Sequence, residues 1–279
     1  MMPTAATRLL GVLGHPVGHS LSPAMHNAAL TCLGIDAVYL AFDVPTDGLA
    51  RAFAGLSELQ SPGWNVTAPL KAAAASQCNV LTPLAAALGA VNTVVRAGSQ
   101  LVGHNTDVEG IQRALEFAGF APDGRPGLVL GAGGAARAAA WALARLGTPV
   151  IIAARSEPVE LAAGLRRAYP GLDVGAISWE MRDGIVPQSG VVINATPLGR
   201  EDSLPVHPGL LAPGQVACDL VYGPAPTPWL IAARQAGARV ADGREVLLYQ
   251  GAAAFLLFTG RPAPLEVMRQ ALYGGEDQC

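Results

Sequence analysis

The chain has little charge, few aromatic rings and no long apolar run. Charged residues make up 14% of its 279 residues and aromatic residues 5%, although 51% are hydrophobic. No apolar run approaches the roughly 20 residues that span a bilayer, and the N-terminal MMPTAATRLL has no signal-peptide pattern. A net charge of −3 without a basic tract disfavours nucleic acid as a partner. We therefore expect a cytoplasmic protein that acts on small molecules.

Cysteine and histidine are also sparse, and neither forms a metal-binding pattern. The cysteines are scattered, with no CxxC pair, at Cys32, Cys78, Cys218 and Cys279. This favours reduced thiols over a disulfide framework. The N-terminal histidines, His15, His19 and His26, are four and seven residues apart, which does not match one helical face. No metal site is therefore expected.

Lysine occurs once. Arginine supplies 17 of the 18 basic residues, and Lys71 is the exception. Arginine stays protonated in proteins, whereas a lysine amine can release and regain a proton in a suitable environment. A bias toward arginine does not explain this exception, so Lys71 is a candidate catalytic group.

The middle of the chain alternates short apolar segments with helical stretches. Strands are predicted at 127–130, 149–154, 172–177, 190–195, 215–220 and 238–241. Helices are predicted at 134–146, 158–168 and 227–236. This alternation is typical of a doubly wound parallel sheet with crossover helices on both faces.

A second α/β block precedes this sheet. Its predicted strands are 9–14, 37–44 and 64–67, its predicted helices are 23–33, 46–56 and 69–75, and 90–105 is predicted to be a hairpin. The apolar stretch 245–258 predicts a long helix that packs back on this block. We therefore predict an α/β protein with a discontinuous domain, 1–107 and 244–279, and a second domain at 108–243.

Two serines stand one residue apart in HSLSPAMH. Ser22 before Pro23 predicts a helix N-cap with proline at the first helical position. That interpretation leaves Ser20 unexplained. Extended residues two apart point the same way, so binding of a small polar ligand by both hydroxyls stays open.

GLVLGAGGAAR has the features of a dinucleotide site. Gly131, Gly133 and Ala136 follow the G-x-G-x-x-G/A spacing between a predicted strand and a predicted helix, whose N-terminus would face a pyrophosphate. Arg155, at the tip of the second strand, favours the 2′-phosphate of NADP. Glu157, two residues on, leaves NAD open.

Polar groups follow two strands of the first block. NVTAPLK carries Lys71, in a helix predicted to open at Pro69, and GHNTD ends at Asp107. Ligands of open α/β sheets bind beyond the carboxyl ends of strands, and a carboxylate beside an amine can orient it for proton transfer. A helix N-cap is the alternative for Asp107.

Seven segments together resemble the shikimate dehydrogenase family. They are GHPVGHSLSP, NVTAPLK, GAVNT, GHNTD, GAGGAAR, NATPLG and DLVY, in the family's order and over nearly the whole chain. The resemblance implies a substrate-binding domain, a Rossmann NADP domain and C-terminal helices that return to the first domain. It also implies NADP-linked reduction of 3-dehydroshikimate to shikimate in aromatic biosynthesis. A homodimer stays open.

The resemblance also implies roles for individual residues. Lys71 and Asp107 match the catalytic pair, and Ser20 and Ser22 match the serines that bind the substrate carboxylate. The other substrate contacts are Asn65, Thr67, Asn92, Tyr222 and Gln250. The cofactor contacts are Gly131, Ala132, Gly133, Gly134, Ala135, Arg155, Ser156, Thr196, Leu220 and Gly243.

The chain departs from the family pattern in two places. Val159 stands where a second basic residue is common, which leaves half of the phosphate clamp, and Glu245–Val246 replaces a glycine–methionine pair near the nicotinamide. Ser22, where a threonine would indicate quinate, favours shikimate. The alternatives are a quinate/shikimate dehydrogenase that uses NAD and a non-catalytic dinucleotide sensor. A folate dehydrogenase is disfavoured because aromatic residues are few.

Overall fold

The computed structural model describes residues 3–156, 158–199, 204–223 and 225–274, which fold into two compact units. The first unit is Met1–Thr106 with Leu247–Cys279, and the second is Asp107–Val246. Asp107 and residues 244–246 thus belong to the second unit, whereas the sequence analysis assigned them to the first domain. Each unit contains one six-stranded sheet.

The sheet of the first unit is mixed. Its strands are β1 (Arg8–Gly14), β2 (Ala37–Asp43), β3 (Gly63–Val66), β4 (Val80–Leu81), β5 (Thr93–Ala97) and β6 (Gln100–His104). They lie in the order β2-β1-β3-β5-β6-β4. β1 is parallel to β2 and β3, whereas β5 is antiparallel to β3 and β6. The predicted hairpin is therefore confirmed as β5–β6.

The sheet of the second unit is parallel throughout. Its strands are β7 (Gly127–Leu130), β8 (Val150–Ala154), β9 (Val174–Ser178), β10 (Val191–Asn194), β11 (Val216–Asp219) and β12 (Arg239–Ala241). They lie in the order β12-β11-β10-β7-β8-β9, so the winding reverses between β7 and β10. This confirms the predicted doubly wound sheet. The carboxyl ends of strands at such a reversal are the usual position of a dinucleotide.

Helices connect these strands. In chain order they are α1 (Ser22–Cys32), α2 (Leu49–Glu58), α3 (Lys71–Ala75), α4 (Pro83–Leu88), α5 (Asp107–Phe117), α6 (Gly134–Arg145), α7 (Pro158–Ala168), α8 (Arg182–Ile185), α9 (Pro228–Gln235), α10 (Gly243–Thr259) and α11 (Leu265–Tyr273). α10 is the predicted long apolar helix, and its residues from Leu247 onward belong to the first unit. There Gly251 packs against Met25 and His26 of α1. No helix in the described part of the chain is long and apolar enough to cross a membrane.

Each unit has its own apolar core. Trp64 of β3 is fully buried in the first unit and packs edge-on against Phe53 of α2, with ring centroids 5.2 Å apart. Trp229 of α9 is fully buried in the core of the second unit. Burial on both faces explains why the strands of the second sheet are almost continuously apolar.

The helix that carries Lys71 begins later than predicted. The sequence analysis placed a helix at 69–75, but α3 begins at Lys71. Residues 68–70 form a turn, in which the Leu70 N–H donates to the Thr67 carbonyl at 2.9 Å. Lys71 is therefore the first helical residue.

Candidate active site

Strand directions bring the polar segments of the first unit to one edge of its sheet. β1 and β3 are parallel, so their carboxyl ends meet there. β5 is antiparallel to β3, with Thr93 paired with Asn65, so the start of β5 lies at the same edge. β6 ends there too, because His104 pairs with Thr93. The segments that carry Ser20, Thr67, Asn92 and Thr106 all leave the sheet at this edge.

Asn92 is the centre of a buried hydrogen-bond network at this edge. Its Oδ1 accepts from the Thr106 backbone N–H at 2.8 Å and from the Thr93 hydroxyl at 3.0 Å. Its Nδ2 donates to the Thr106 hydroxyl at 3.0 Å and to Gln250 Oε1 at 3.4 Å. The network therefore joins β5, the segment after β6 and helix α10 in one arrangement.

Asn65 extends the network toward β2. Its Nδ2 donates to the Asn92 carbonyl at 3.1 Å and to the Thr93 hydroxyl at 2.9 Å. Its Oδ1 accepts from the Tyr39 hydroxyl at 2.7 Å. Both amide hydrogens are donated inside the protein, so a ligand contact by Asn65 would use Oδ1 as an acceptor.

Sequence reasoning misses Tyr39 as a supporting residue. Its hydroxyl reaches Asn65 across the intervening strand β1, and no local pattern of β2 indicates such a contact. The ring stacks on His26, with centroids 4.2 Å apart and planes 2° from parallel. Burial lowers the pKa of His26 to about 3, so this imidazole is a neutral packing group.

The predicted cap at Ser22 is wrong. Helix α1 begins at Ser22 itself, and the residue before it is Leu21, which makes no side-chain cap. The Ser20 hydroxyl instead accepts from the Ser22 N–H at 3.3 Å. The chain is already in the right-handed helical region at Leu21, so Ser22 lacks the extended backbone of an N-cap. Ser20 is half-buried and Ser22 is buried.

The remaining candidates of this set lie at element boundaries. Lys71 is half-buried at the start of α3, and its carbonyl accepts from the Val91 N–H at 2.9 Å, next to Asn92. Thr67 is half-buried just after β3. Asp107 is half-buried at the first residue of α5, and Tyr222 is half-buried after β11. Asp107 and Tyr222 belong to the second unit.

The glycine-rich loop of the second unit borders a cavity of about 450 Å³. Gly131 has a φ of +110°, and a Cβ there would lie 3.2 Å from the Ala195 carbonyl oxygen, so the turn requires glycine. A Cβ built on Gly133 or Gly134 meets no atom within 4 Å. Space for a phosphate therefore lies beside the N-terminus of α6, where backbone N–H groups are available.

The same cavity brings together most of the predicted cofactor contacts. Its lining consists of Gly131, Ala132, Gly133, Ala154, Arg155, Ser156, Trp179, Ala195, Thr196, Pro197 and Leu198. Arg155 is exposed just after β8, and Val159 in the next helix is 65% exposed. Ala135 lies half-buried in the first turn of α6. Glycine backbone and an arginine around one cavity suit a phosphorylated dinucleotide. Glu157, which left NAD open, lies outside the described residues.

A buried carboxylate organises the loops beside this cavity. Asn194 Nδ2 donates to Asp219 Oδ1 at 2.9 Å and to the Leu198 carbonyl at 2.7 Å. The Thr196 hydroxyl donates to Asn194 Oδ1 at 2.7 Å. The Thr227 hydroxyl donates to Asp219 Oδ2 at 2.6 Å. Asp219 therefore holds together the segments after β10 and β11.

Two further cofactor candidates lie beside Asp219. Leu220 is half-buried directly after β11. A Cβ on Gly243 would lie 2.8 Å from the carbonyl oxygens of Asp219 and Val221. Only glycine therefore fits there, because the backbone after β11 passes so close. Glu245 and Val246, which replace the family's glycine–methionine pair, are both buried.

Burial raises the pKa of Asp219 to about 6 from its ordinary 3.8. The hydrogen bonds from Thr227, Val221 and Asn194 act in the opposite direction, and the charge of Asp242 adds to the rise. Asp219 is 0% exposed, and the loss of hydration raises its pKa by more than these hydrogen bonds lower it.

Comparison with known proteins identifies the family. The shikimate dehydrogenase substrate binding domain matches residues 12–94, and the shikimate 5′-dehydrogenase C-terminal domain matches residues 243–273. A Moorella thermoacetica protein named shikimate dehydrogenase (NADP(+)) is 47% identical over 276 residues, which cover 96% of this chain and 93% of the relative. This chain belongs to the shikimate dehydrogenase family. The predicted resemblance is confirmed.

Solved structures of a shikimate dehydrogenase and a quinate dehydrogenase match nearly the whole chain. Thermus thermophilus shikimate 5-dehydrogenase in complex with NADP(H) and shikimate matches with a TM-score of 0.84 and 38% identity, covering 95% of this chain and 98% of that chain. Quinate dehydrogenase from Corynebacterium glutamicum in complex with NAD matches with a TM-score of 0.87 and 30% identity. The match covers 96% of this chain and 99% of that chain. The roles of individual residues in this chain remain predictions.

Side chains of the types that bind metals are dispersed over the described residues. Within them, no group of three or more histidine, cysteine, aspartate or glutamate side chains could hold a metal ion. His15 is exposed with Nδ1 2.6 Å from Asp43 Oδ1, whereas His26 is buried against Tyr39.

Replacement of Ser20 or of Ser22 by alanine should lower the stability of the protein by different amounts. We expect Ser20→Ala to lower the free energy of unfolding by about 0.5–1 kcal/mol, because it removes the acceptor for the Ser22 N–H. Ser22→Ala removes no cap and should lower it less. Urea unfolding of both variants measures this difference. A larger loss in Ser22→Ala would contradict the hydrogen-bond assignment.

Asp219 should give the stability a distinctive pH dependence. Its folded pKa of about 6 lies above the unfolded value, so from about pH 4 to 6 the folded state keeps a proton that the unfolded state releases. This contribution to stability is present at low pH and falls as pH rises, by about 1.4 kcal/mol per unit of pKa difference.

Asp219→Asn tests this directly, because titrating groups that do not interact with Asp219 cancel in the difference between the two proteins. The free energy of unfolding of the native protein, relative to the variant, should fall between pH 4.5 and pH 7. A constant difference across this range, measured by urea unfolding, would show that Asp219 is already ionised at the lower pH.

Proposed function

We propose that this protein catalyses the reversible, NADPH-linked reduction of 3-dehydroshikimate to shikimate. The observation that carries the proposal is 47% identity over 96% of the chain to a relative named for this activity. The cavity beside the glycine loop and the polar edge of the first sheet support it. The first unit would be the substrate domain and the second the NADP domain.

The polar edge of the first sheet suits a small, hydroxyl-rich acid. Ser20 and Ser22 would donate hydrogen bonds to the substrate carboxylate, and Thr67, Tyr222 and Gln250 would contact its hydroxyls. Asn92 would also contact a hydroxyl by exchanging its 3.4 Å hydrogen bond to Gln250, the longest of the four described above, for one to the substrate. Asn65 would accept from a hydroxyl through Oδ1, since both of its amide hydrogens are donated internally. The network around Asn92 fixes its amide before any ligand arrives, so the ordering cost of binding is low.

Lys71 and Asp107 would manage the proton of the reaction. Bound NADPH supplies a hydride to the carbonyl carbon at C3 of the substrate. Lys71 Nζ donates a proton to the C3 oxygen as negative charge develops there, and it takes that proton back in the oxidation of shikimate. The Asp107 carboxylate would orient that amine for the transfer.

Arg155 would select the cofactor. Its guanidinium borders the cavity beside Ser156 and can bind a 2′-phosphate with charge-assisted hydrogen bonds. Val159 supplies no second charge, so the preference for NADP over NAD should be smaller than with two basic residues. A cytoplasmic location and a homodimeric state stay predictions.

Quinate oxidation with NAD is the second candidate. The likeness to a quinate dehydrogenase solved with NAD and the missing charge at position 159 both favour it. Ser22 favours shikimate. The assay is absorbance at about 340 nm, where reduced nicotinamide absorbs, with shikimate or quinate combined with NADP⁺ or NAD⁺. We expect shikimate with NADP⁺ to react best. No absorbance change with any pair would refute the proposal and favour a sensor.

Lys71 should serve the chemical step more than binding. Lys71→Ala should lower kcat by about 10²-fold or more and change KM little, because the proton is transferred in the transition state. Lys71→Arg should be nearly as inactive, since a guanidinium keeps the charge but releases no proton. Steady-state kinetics measure both variants. An active Lys71→Arg enzyme would leave the residue only an electrostatic role.

The charges at positions 155 and 159 should control the preference for NADP⁺ over NAD⁺. Removing the charge at 155 should lower that preference, and adding a charge at 159 should raise it. Arg155→Ala should weaken NADP⁺ binding at least about tenfold and leave NAD⁺ binding nearly unchanged. Val159→Lys restores a second charge on an exposed site and should strengthen NADP⁺ binding several-fold.

Val159→Thr, which keeps the branched shape without charge, is the matched control and should bind both cofactors as the native protein does. Calorimetric titration gives the dissociation constants. Equal weakening of both cofactors in Arg155→Ala would assign that residue to the fold instead.

A further inference from the structure

Trp179 is the aromatic side chain that lines the cavity beside the glycine loop. It follows directly after β9, and Arg155 follows directly after the neighbouring strand β8. Ala154 and Ser178 are paired in the sheet, so the two side chains leave adjacent strands at the same level. Neither the family resemblance nor the glycine motif indicates a role for Trp179.

The indole of Trp179 is held in place from one side. The guanidinium carbon of Arg182 lies 4.4 Å from the ring centroid, a cation–π contact. Arg182 is itself fixed, because its Nε donates to the Pro205 carbonyl at 2.7 Å and its Nη1 donates to the Trp179 carbonyl at 2.9 Å. The ring is therefore pre-ordered, while another part of its surface borders the cavity.

We propose that Trp179 is the contact for the adenine ring of the cofactor. Adenine is a flat aromatic ligand, and indole is the side chain with the largest stacking surface. The contact would strengthen NADP and NAD binding alike. It would offset the charge missing at Val159, whereas Arg155 alone would distinguish the two cofactors. This inference rests on the proposed function in assuming that a dinucleotide occupies the cavity.

The tryptophans of the chain make this proposal directly measurable. Trp64, Trp141 and Trp229 are 0%, 5% and 0% exposed, whereas Trp179 is half-buried at the cavity. A ligand that stacks on Trp179 should therefore quench the fluorescence of that residue alone. Adenosine 5′-diphosphate and adenosine 2′,5′-bisphosphate serve as probes, since both carry adenine and only the second carries a 2′-phosphate.

Both probes should quench the tryptophan fluorescence of the native protein, and Trp179→Phe should abolish the quenching. Calorimetry should show that Trp179→Phe, which keeps an aromatic face, binds within a few-fold of the native protein. Trp179→Ala should weaken both probes about tenfold, the scale of base–aromatic stacking. Met181→Ala, at a neighbouring residue that is 59% exposed, is the matched control and should change neither result.

Quenching that persists in Trp179→Phe, or unchanged affinity in Trp179→Ala, would overturn the proposal. Thermal unfolding of each variant separates lost binding from lost folding, and Trp179→Phe decides the question if Trp179→Ala is unstable. Failure of the NADP assignment has a different outcome: the native protein would bind the two probes equally, while the effect of Trp179 on both would remain.

Discussion

Buried polar groups at the ends of strands must find partners inside the protein, and both sheets are built around this requirement. An amide or carboxylate that is removed from water costs about 1–3 kcal/mol if it is left unsatisfied. In the first unit the Asn92 amide forms hydrogen bonds with polar groups of Thr93, Thr106 and Gln250. In the second unit Asp219 does the same for Asn194 and Thr227.

This requirement gives many polar residues a supporting part. Thr196 illustrates the distinction: its hydroxyl is bonded to Asn194, so it shapes the loop that borders the cavity. Asn65 likewise gives both amide hydrogens to its neighbours. A motif therefore contains residues that would touch a ligand and residues that hold them. The hydrogen bonds tell these apart where residue types do not.

The cavity of the second unit is bordered by few charged side chains. Arg155 is the basic side chain that borders it, and Trp179 offers an aromatic surface backed by Arg182. Val159 presents an exposed apolar side chain nearby in sequence. Glycine backbone, one charge and one ring form a site in which affinity and cofactor choice would depend on different residues.

Strongly apolar elements were predictable, because burial requires an apolar surface that is visible in the sequence. The strands of the second sheet and helix α10 lie close to their predicted positions, since each buries an apolar surface that its own sequence displays. Short elements were less predictable. The two-residue strand β4 is held by bonds to distant residues, such as Asn79 N–H to the Leu101 carbonyl at 2.9 Å. The turn before Lys71 combines its local bond with a distant one, from the His15 N–H to the Ala68 carbonyl at 3.4 Å.

The sequence by itself determined the class of fold, the glycine loop, the single lysine and the family, because these depend on composition and local spacing. Only the tertiary structure decided which side chains meet. Ser20 rather than Ser22 binds the backbone at the start of α1, because the chain turns helical one residue earlier than the proline suggests. Tyr39 reaches Asn65, and Trp179 joins Arg155 at one cavity, because strand order places distant segments side by side. No spacing along the chain encodes these contacts.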